Sequence, residues 1–271
     1  MSVSFDFSGK TVFISGGTSG INLGIAEGFA AAGARVFVIS RSQDKVDAAV
    51  ASILAAGAEA ADGRSTDVRD HDAVKAAFQA CVERFGEIDV LISGAAGNFP
   101  AKANQISSNG FRAVLEIDVL GTHHVMTAAY PHLKKPGASV INISAPQAVV
   151  PMVAQVHVCA AKAGVDMITK VLALEWGPEG IRINSVIPGP IEDTEGMRRL
   201  APSEDGMERV RQTVPLRRNG QAVDIARVCM FLSSEEASYV SGVIVPVDGA
   251  WYLGGVGTAL EATLKGLESG A

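Results

Sequence analysis

The sequence predicts an α/β fold: a doubly wound, seven-stranded parallel sheet with helices on both faces, in a single domain over residues 1–271. Two observations carry this. Short β-branched runs alternate with amphipathic helical stretches almost to the end, and most of the strand runs are continuously apolar, as strands buried on both faces must be. A third observation points to a ligand. The first strand runs into a glycine-rich turn and then an apolar helix, the place where an open parallel sheet receives a dinucleotide.

In order, "TVFIS" is the first strand, followed by a helix from about Ile21 to Ala32. "ARVFVIS" leads to a helix from about Gln43 to Ala56, and "GRSTDV" to a helix over "HDAVKAAFQACVERF". "IDVLISG" precedes a long helix from about Ser107 to Leu133; "ASVINIS" precedes a helix over "AAKAGVDMITKVLALEW". "IRINSVIP", "AVDIARVCMFLSS" and "GVIVPV" complete the series. The stretch from about 191 to 216 reads as irregular, and a loop of that length in a compact domain is usually a lid or binding loop, here a substrate loop.

The composition narrows the function. A hydrophobic content of 48% over 271 residues supplies one sizeable core. A formal charge of -6 disfavours a general nucleic-acid binder, which normally carries a basic face. Three widely spaced cysteines, Cys81, Cys159 and Cys229, predict reduced, mostly buried thiols and no disulfide. No apolar run reaches the roughly 18 residues of a membrane span, and neither a signal segment nor a peroxisomal C-terminal address is read. A cytoplasmic protein without a metal site is expected.

In the glycine turn, Gly16 and Gly20 stand at their expected offsets, but the third glycine position holds Asn22 and a glycine follows at Gly24. The free N–H groups and positive dipole end of the helix there suit a pyrophosphate. Because the third glycine mainly permits close helix–strand packing, a small shift lets Gly24 serve. After the second strand, Ser40 and Arg41 occupy the place where an NAD site carries an acid. A cation there suits the 2′-phosphate of NADP, although a solvated arginine at a helix start looks the same. Asp67 in "TDVRD" is placed to accept from the adenine amino group or to cap the following helix.

With these landmarks, "SGAAG" after the fourth strand, Lys162 in "AAKAG" and "IRINSVIPGPI", the chain resembles the short-chain dehydrogenase/reductase family along essentially its whole length. The resemblance implies one Rossmann-like domain that binds NADPH/NADP. Its cofactor contacts fall on Gly16, Gly17, Thr18, Ser19, Gly20 and Ile21, on Ser40 and Arg41, on Asp67 and Val68, and on Gly94 and Ala95. Lys162, Pro188, Gly189, Ile191 and Thr194 complete the set.

Most members reduce ketones with a Tyr, a Lys, a Ser and an Asn, because a forming alkoxide needs a phenol whose pKa a neighbouring cation lowers. Here the Tyr position is Val158, the Ser position Ala145 beside Ser144, and the Asn position Asp118; Lys162 alone remains, as a ribose anchor or a catalytic cation. The substitutions resemble those of the peroxisomal-type 2,4-dienoyl-CoA reductases, which share "AAGNF", "QVH…AK", "LALEWGP", "TEGMRRL", "ASYVSG" and "DGAW". The Tyr of the mitochondrial-type relatives is also absent, its position being Gln147. This branch implies a reductase of fatty acyl-CoA dienes in which Asp118 and Asp248 hold a proton-donating water, with Lys162 beside them. Asp118 is alternatively a buried carboxylate bonded to backbone, and Asp248 a turn residue. An acyl-CoA site implies Arg41, Arg69, Phe99, Ser107, Ser108, Asn109 and Arg199 as substrate contacts, while His157 reads as a wall residue. A homo-oligomer, by resemblance a tetramer, is implied. The alternatives are another NADPH-linked reductase of an enoyl or carbonyl substrate, or an inactive cofactor-binding partner protein.

Overall fold

In the computed structural model, which describes residues 4–201 and 203–254, β1 (Thr11–Ser15) is fully buried between two helical layers. Its neighbours are β2 (Arg35–Ser40) and β4 (Val90–Ser93), both parallel to it. β3 (Ala60–Ser65), β5 (Ser139–Ile143), β6 (Arg182–Pro188) and β7 (Ile244–Val247) extend the sheet to the order β3-β2-β1-β4-β5-β6-β7. Every adjacent pair is parallel, so each connection is a crossover and the helices cover both faces.

β3 differs from the expectation. It lies at residues 60–65 rather than over "GRSTDV", and its burial is only partial. An edge strand has one neighbour, so Asp62 and Arg64 are tolerated where a central strand needs Val or Ile.

One helical layer contains α1 (Gly20–Ala31), α2 (Gln43–Ala55) and α9 (Ala222–Ser233). Ile25, Phe29 and Ile225 are fully buried there with Val12, Ile14, Val36 and Val38. The opposite layer contains α3 (His71–Phe85), α4 (Ser108–Leu115), α5 (Gly121–Ala129) and α6 (Val156–Trp176). Phe13 and Phe78 stack there at 4.0 Å, and Phe13 and Phe37 at 5.5 Å. The long helix expected from Ser107 to Leu133 is α4 and α5 joined through a π-helical segment, Glu116–Leu120, that widens the helix around Asp118.

Residues 191–216 are not an irregular loop. They form α7 (Glu195–Leu200) and α8 (Glu204–Thr213), each opened by a hydroxyl cap: Thr194 Oγ1 accepts from Met197 N and Ser203 Oγ from Gly206 N. The caps are legible in the sequence; α8 is too polar for an apolar stripe to reveal it. Among the described residues no helix is long and apolar enough to cross a membrane. The C-terminal residues read for a targeting address lie outside the described residues.

Candidate active site

The strand order reverses between β1 and β4, and a crevice opens there at the carboxyl ends of the strands. Gly16 (φ +70°) and Gly20 (φ +54°) adopt left-handed backbone that a side chain disfavours, which fixes the turn between β1 and α1. Ser19 starts α1 without a side-chain cap and no acid stands in the first turn, so the free N–H groups face the crevice.

Asn22 resolves the missing third glycine. Its Nδ2 donates to the Gly94 carbonyl at 2.8 Å and to Gly16 O at 3.4 Å, stapling the turn after β1 to the loop after β4. A Cβ on Gly94 would stand 2.3 Å from Asn22 Oδ1, so glycine at 94 makes room for asparagine at 22. Gly24 does not serve the turn. A Cβ there would meet Ala222 Cβ of α9 at 2.3 Å, and one on Gly28 would meet Ala226 Cβ at 2.8 Å. Gly24 and Gly28 therefore form a small-residue stripe that lets α1 and α9 pack closely.

Arg41 is exposed, and the Ser65 hydroxyl donates to its carbonyl at 3.0 Å. Asp67 does not cap α3; Asp70 does, accepting from Asp72 N at 3.1 Å and Ala73 N at 3.0 Å. Asp67 instead clamps Arg69, accepting from its Nε at 3.0 Å and its Nη2 at 2.5 Å. The Arg69 hydrogen bonds hold the Asp67 carboxyl below its ordinary range, with the Arg41 charge assisting. The Arg69 side chain is thus held beside Asp67 while remaining 43% exposed.

Across the crevice, Asp118 is fully buried. Its Oδ1 accepts from Gly97 N at 2.7 Å, and its Oδ2 lies 3.4 Å from Lys162 Nζ. Lys162, on α6, also donates to Ile143 O at 3.1 Å. Where the phenol would stand, Val158 is 2% exposed and packs with Val114 and Ala161. His157, fully buried, lies 4.4 Å from the Phe99 ring, and burial pushes its pKa down against weaker pulls from the Phe99 backbone and Asp118. His157 sits behind the cavity lining rather than in it.

Asp248 takes the turn position that is its alternative reading. Both carboxylate oxygens cap its own turn, accepting from Ala250 N at 2.9 Å and Tyr252 N at 2.8 Å. Ser107 is likewise a cap, accepting from Gly110 N at 3.1 Å at the start of α4, with Ser108 and Asn109 exposed beside it. The side chain of Arg199 lies outside the described residues.

A cavity of about 1180 Å³ joins these parts. Of the expected residues, Ile21, Gly94, Lys162, Pro188, Gly189, Ile191 and Thr194 line it; the glycine turn from Gly16 to Gly20, Ser40, Arg41, Asp67, Val68, Arg69, Ala95, Phe99, Ser107, Ser108, Asn109, Asp118 and Asp248 do not. Asp118 sits behind the wall, reaching the cavity through Lys162 and Gly97. The sequence reading missed Gln147 and Gln155, which bond each other at 2.6 Å at the cavity wall, and Met197, Arg209, Arg217 and Trp251 at its far end.

The family model described as "Enoyl-(Acyl carrier protein) reductase" matches residues 16–251, from the glycine turn to the last turn of the cavity wall. The chain is a short-chain dehydrogenase/reductase. The rat protein named peroxisomal 2,4-dienoyl-CoA reductase [(3E)-enoyl-CoA-producing] is 41% identical, with 90% of this chain and 84% of that one covered. A Bacillus subtilis protein named probable 2,4-dienoyl-CoA reductase [(2E)-enoyl-CoA-producing] is 38% identical over 90% of this chain and 97% of its own. A solved short chain dehydrogenase of Bacillus anthracis superposes with a TM-score of 0.81 at 36% identity, covering 90% of this chain and 96% of that one. The protein is therefore an oxidoreductase of this family, whose members use a nicotinamide cofactor. The crevice fits one, with left-handed Gly16 and Gly20 under uncapped N–H groups at the start of α1.

Proposed function

We propose that the protein is an NADPH-dependent reductase of 2,4-dienoyl-CoA thioesters. The observation that carries the reading is the buried Asp118–Lys162 pair behind a cavity wall where Val158 and Ala145 replace the phenol and hydroxyl of ketone reduction. A ketone needs its alkoxide protonated on oxygen. A conjugated dienoyl thioester places the developing charge on the thioester oxygen and needs its proton on carbon.

When bound, the reduced dinucleotide supplies a hydride and leaves oxidised; Arg41, with no acid at that place, favours the form carrying a 2′-phosphate. Lys162 Nζ, held by Ile143 O and Asp118, presents a fixed cation to the enolate oxygen, and a preorganised donor there is worth about 3–4 kcal/mol. Asp118 acts from behind the wall, through Lys162 and Gly97, on the water that delivers the proton to carbon. Asp248 acts at a distance, by shaping the turn beside Gly189, where a Cβ would lie 2.6 Å from the Asp248 Cα. The relatives that carry this activity in their names support the substrate class.

A homo-oligomer is supported by an apolar face on α6, where Met167 is 57% and Leu174 80% exposed. A reducing cytoplasm suits the thiols. Cys81 and Cys229 are buried and pushed up to about 12 by desolvation, and all three cysteines are unpaired.

The test follows nicotinamide absorbance with 2,4-hexadienoyl-CoA, a saturated ketone and an unsaturated acyl-carrier-protein thioester in parallel. Turnover of the dienoyl-CoA with NADPH, and none of the ketone, is expected. Comparable ketone reduction would sink the argument from Val158 and Ala145. Reduction of the carrier-protein thioester alone would move the activity to the reaction named by the family description.

A further inference from the structure

Between α6 and the sheet lies a set of buried polar side chains that the reaction above leaves unused. Lys162, Asp166 and Thr169 follow helical spacing and share one face of α6. Asn142 and Ser144, two residues apart at the end of β5, point to that same side of the sheet. Asn142 Nδ2 donates to Thr169 Oγ1 at 2.8 Å. Ser185, paired with Asn142 across the β5–β6 ladder, donates through Oγ to Asp166 Oδ1 at 2.9 Å. None of these six side chains is more than 6% exposed.

This set opens at one end. Ser144 lines the cavity beside Lys162, whereas Asp166 lies behind them. Lys162 Nζ donates at 3.1 Å to the carbonyl of Ile143, the residue before Ser144, so ammonium and hydroxyl reach the cavity from adjacent positions. Ser144 Oγ and Asp166 Oδ2 are both buried without a hydrogen-bond partner among the described residues. Leaving a buried polar atom so is costly, and a catalytic role is one reason for it to persist.

The charges of the set do not balance if every acid ionises. Two acids, Asp118 and Asp166, are buried with one cation, Lys162, and Asp118 Oδ2 already lies 3.4 Å from its Nζ. A second carboxylate there lacks a cation of its own. Burial accordingly holds the Asp166 pKa above the ordinary carboxylate range, against pulls from the Ser144 and Ser185 hydroxyls and the Lys162 and Lys170 charges. Ser144 is thus close to Asp166 without being bonded to it. A serine hydroxyl both donates and accepts, so by rotating it can connect Asp166 Oδ2 to the cavity.

We propose that Asp166 is a buried proton reservoir that recharges the cavity water through the Ser144 hydroxyl. The proposal rests on the dienoyl-CoA reading above and adds the source of the proton that reduction consumes. When the water gives its proton to the enolate carbon, a C–H bond forms and hydroxide remains. The hydroxide takes the Ser144 proton as Ser144 takes that of Asp166, leaving water, a serine hydroxyl and an Asp166 carboxylate facing Lys162. No electrons move in this relay. After product leaves, a proton from solvent returns to Asp166 by the same route.

The test follows turnover of 2,4-hexadienoyl-CoA with NADPH across pH. The relay needs the protonated acid, so wild-type kcat falls as pH climbs through the raised Asp166 pKa. Asp166→Asn lowers kcat about 10²-fold, the lower end for losing an acid–base group, removes that fall, and leaves KM within about 2-fold. Ser144→Ala lowers kcat equally, and the double variant is no worse than either alone, because the groups act in series. Ser144→Thr, which keeps a hydroxyl, stays within about 3-fold of the wild type. Imidazolium buffer restores kcat in Asp166→Asn and Ser144→Ala by carrying protons from solution, which a merely structural loss does not permit. Normal kcat in Ser144→Ala, losses that multiply in the double variant, or no recovery with imidazolium overturns the proposal. Should Asp166→Asn fail to fold, Ser144→Ala, Ser144→Thr and the imidazolium rescue decide alone, since Ser144 Oγ holds no bond to lose. If the wild type reduces no dienoyl-CoA, the functional reading fails instead, and infrared titration tests the reservoir by itself. A protonated-carboxyl band lost in Asp166→Asn and shifted in Ser144→Ala supports it; a band that is absent or indifferent to Ser144 overturns it.

Discussion

Replacing Asp118 by Asn separates the chemistry of this carboxylate from its place in the fold. The amide oxygen can still accept from Gly97 N, which Asp118 Oδ1 now does at 2.7 Å. What disappears is the negative charge 3.4 Å from Lys162 Nζ. Lys162 is 6% exposed and would keep the Ile143 carbonyl at 3.1 Å as its directly bonded partner. Stranding one member of a buried pair costs about 3–5 kcal/mol, and the surviving bonds favour the lower end, about 3 kcal/mol. For a chain of this size that is a fall of about 6–12 °C in Tm. Turnover of dienoyl-CoA should drop about 10²–10⁴-fold, the range for losing an acid–base group, with NADPH affinity within a few-fold. Adding Lys162→Met removes the stranded cation, so the double variant should regain most of the lost Tm and none of the turnover. Thermal denaturation and initial rates of NADPH oxidation, taken where circular dichroism shows each variant folded, read both quantities. Near-normal turnover of Asp118→Asn, or recovery of turnover in the double variant, would refute the proton role. An unchanged Tm would refute the buried pair.

Arg41→Ala should weaken NADPH by about 1.5–3 kcal/mol and leave NADH nearly unchanged, read by fluorescence titration; equal losses remove the 2′-phosphate assignment. Gly24→Ala should destabilise by about 1–2 kcal/mol even though Ala favours helix by about 1 kcal/mol, because its Cβ would meet Ala222. Ala222→Gly in the same chain should restore the stability in urea melts, and failure to do so would show that α1 and α9 do not touch there. Asp166, on α6, is 6% exposed, accepts from Ser185 Oγ at 2.9 Å, and has its pKa raised by burial against the opposing pull of that hydrogen bond. The unfolded chain ionises at the ordinary value of 3.8 and the folded chain only above it. Stability is therefore fully present below 3.8 and is lost as pH climbs to the raised value. Asp166→Asn should flatten that decline, and a stability difference independent of pH would contradict it.

The sequence by itself determined the sheet and the crevice. Runs such as "TVFIS", "VLIS" and "SVINI" place apolar residues on both faces, as a strand covered on both sides must, and local backbone chemistry placed the glycine turn after β1. The absence of Tyr at 158 and Ser at 145 was equally legible, since it needs only a count back along the chain from Lys162. The caps of α7 and α8 were written as Thr194 and Ser203, but a polar helix leaves no apolar stripe to be read. Tertiary structure alone decided which charges meet. Asp67 turned to Arg69 while Asp70 took the cap, Asp248 closed on its own turn, and Asp118, within a π-helical segment, came to Lys162. It likewise decided that Asn22 takes the space a Gly94 side chain would need and that Gly24 faces Ala222. Each of these outcomes depends on the distance between atoms that chain spacing does not constrain. Periodicity specifies which face of an element is buried, whereas a hydrogen bond or a close approach needs its partner delivered to within a few tenths of an ångström by the packing of the whole fold.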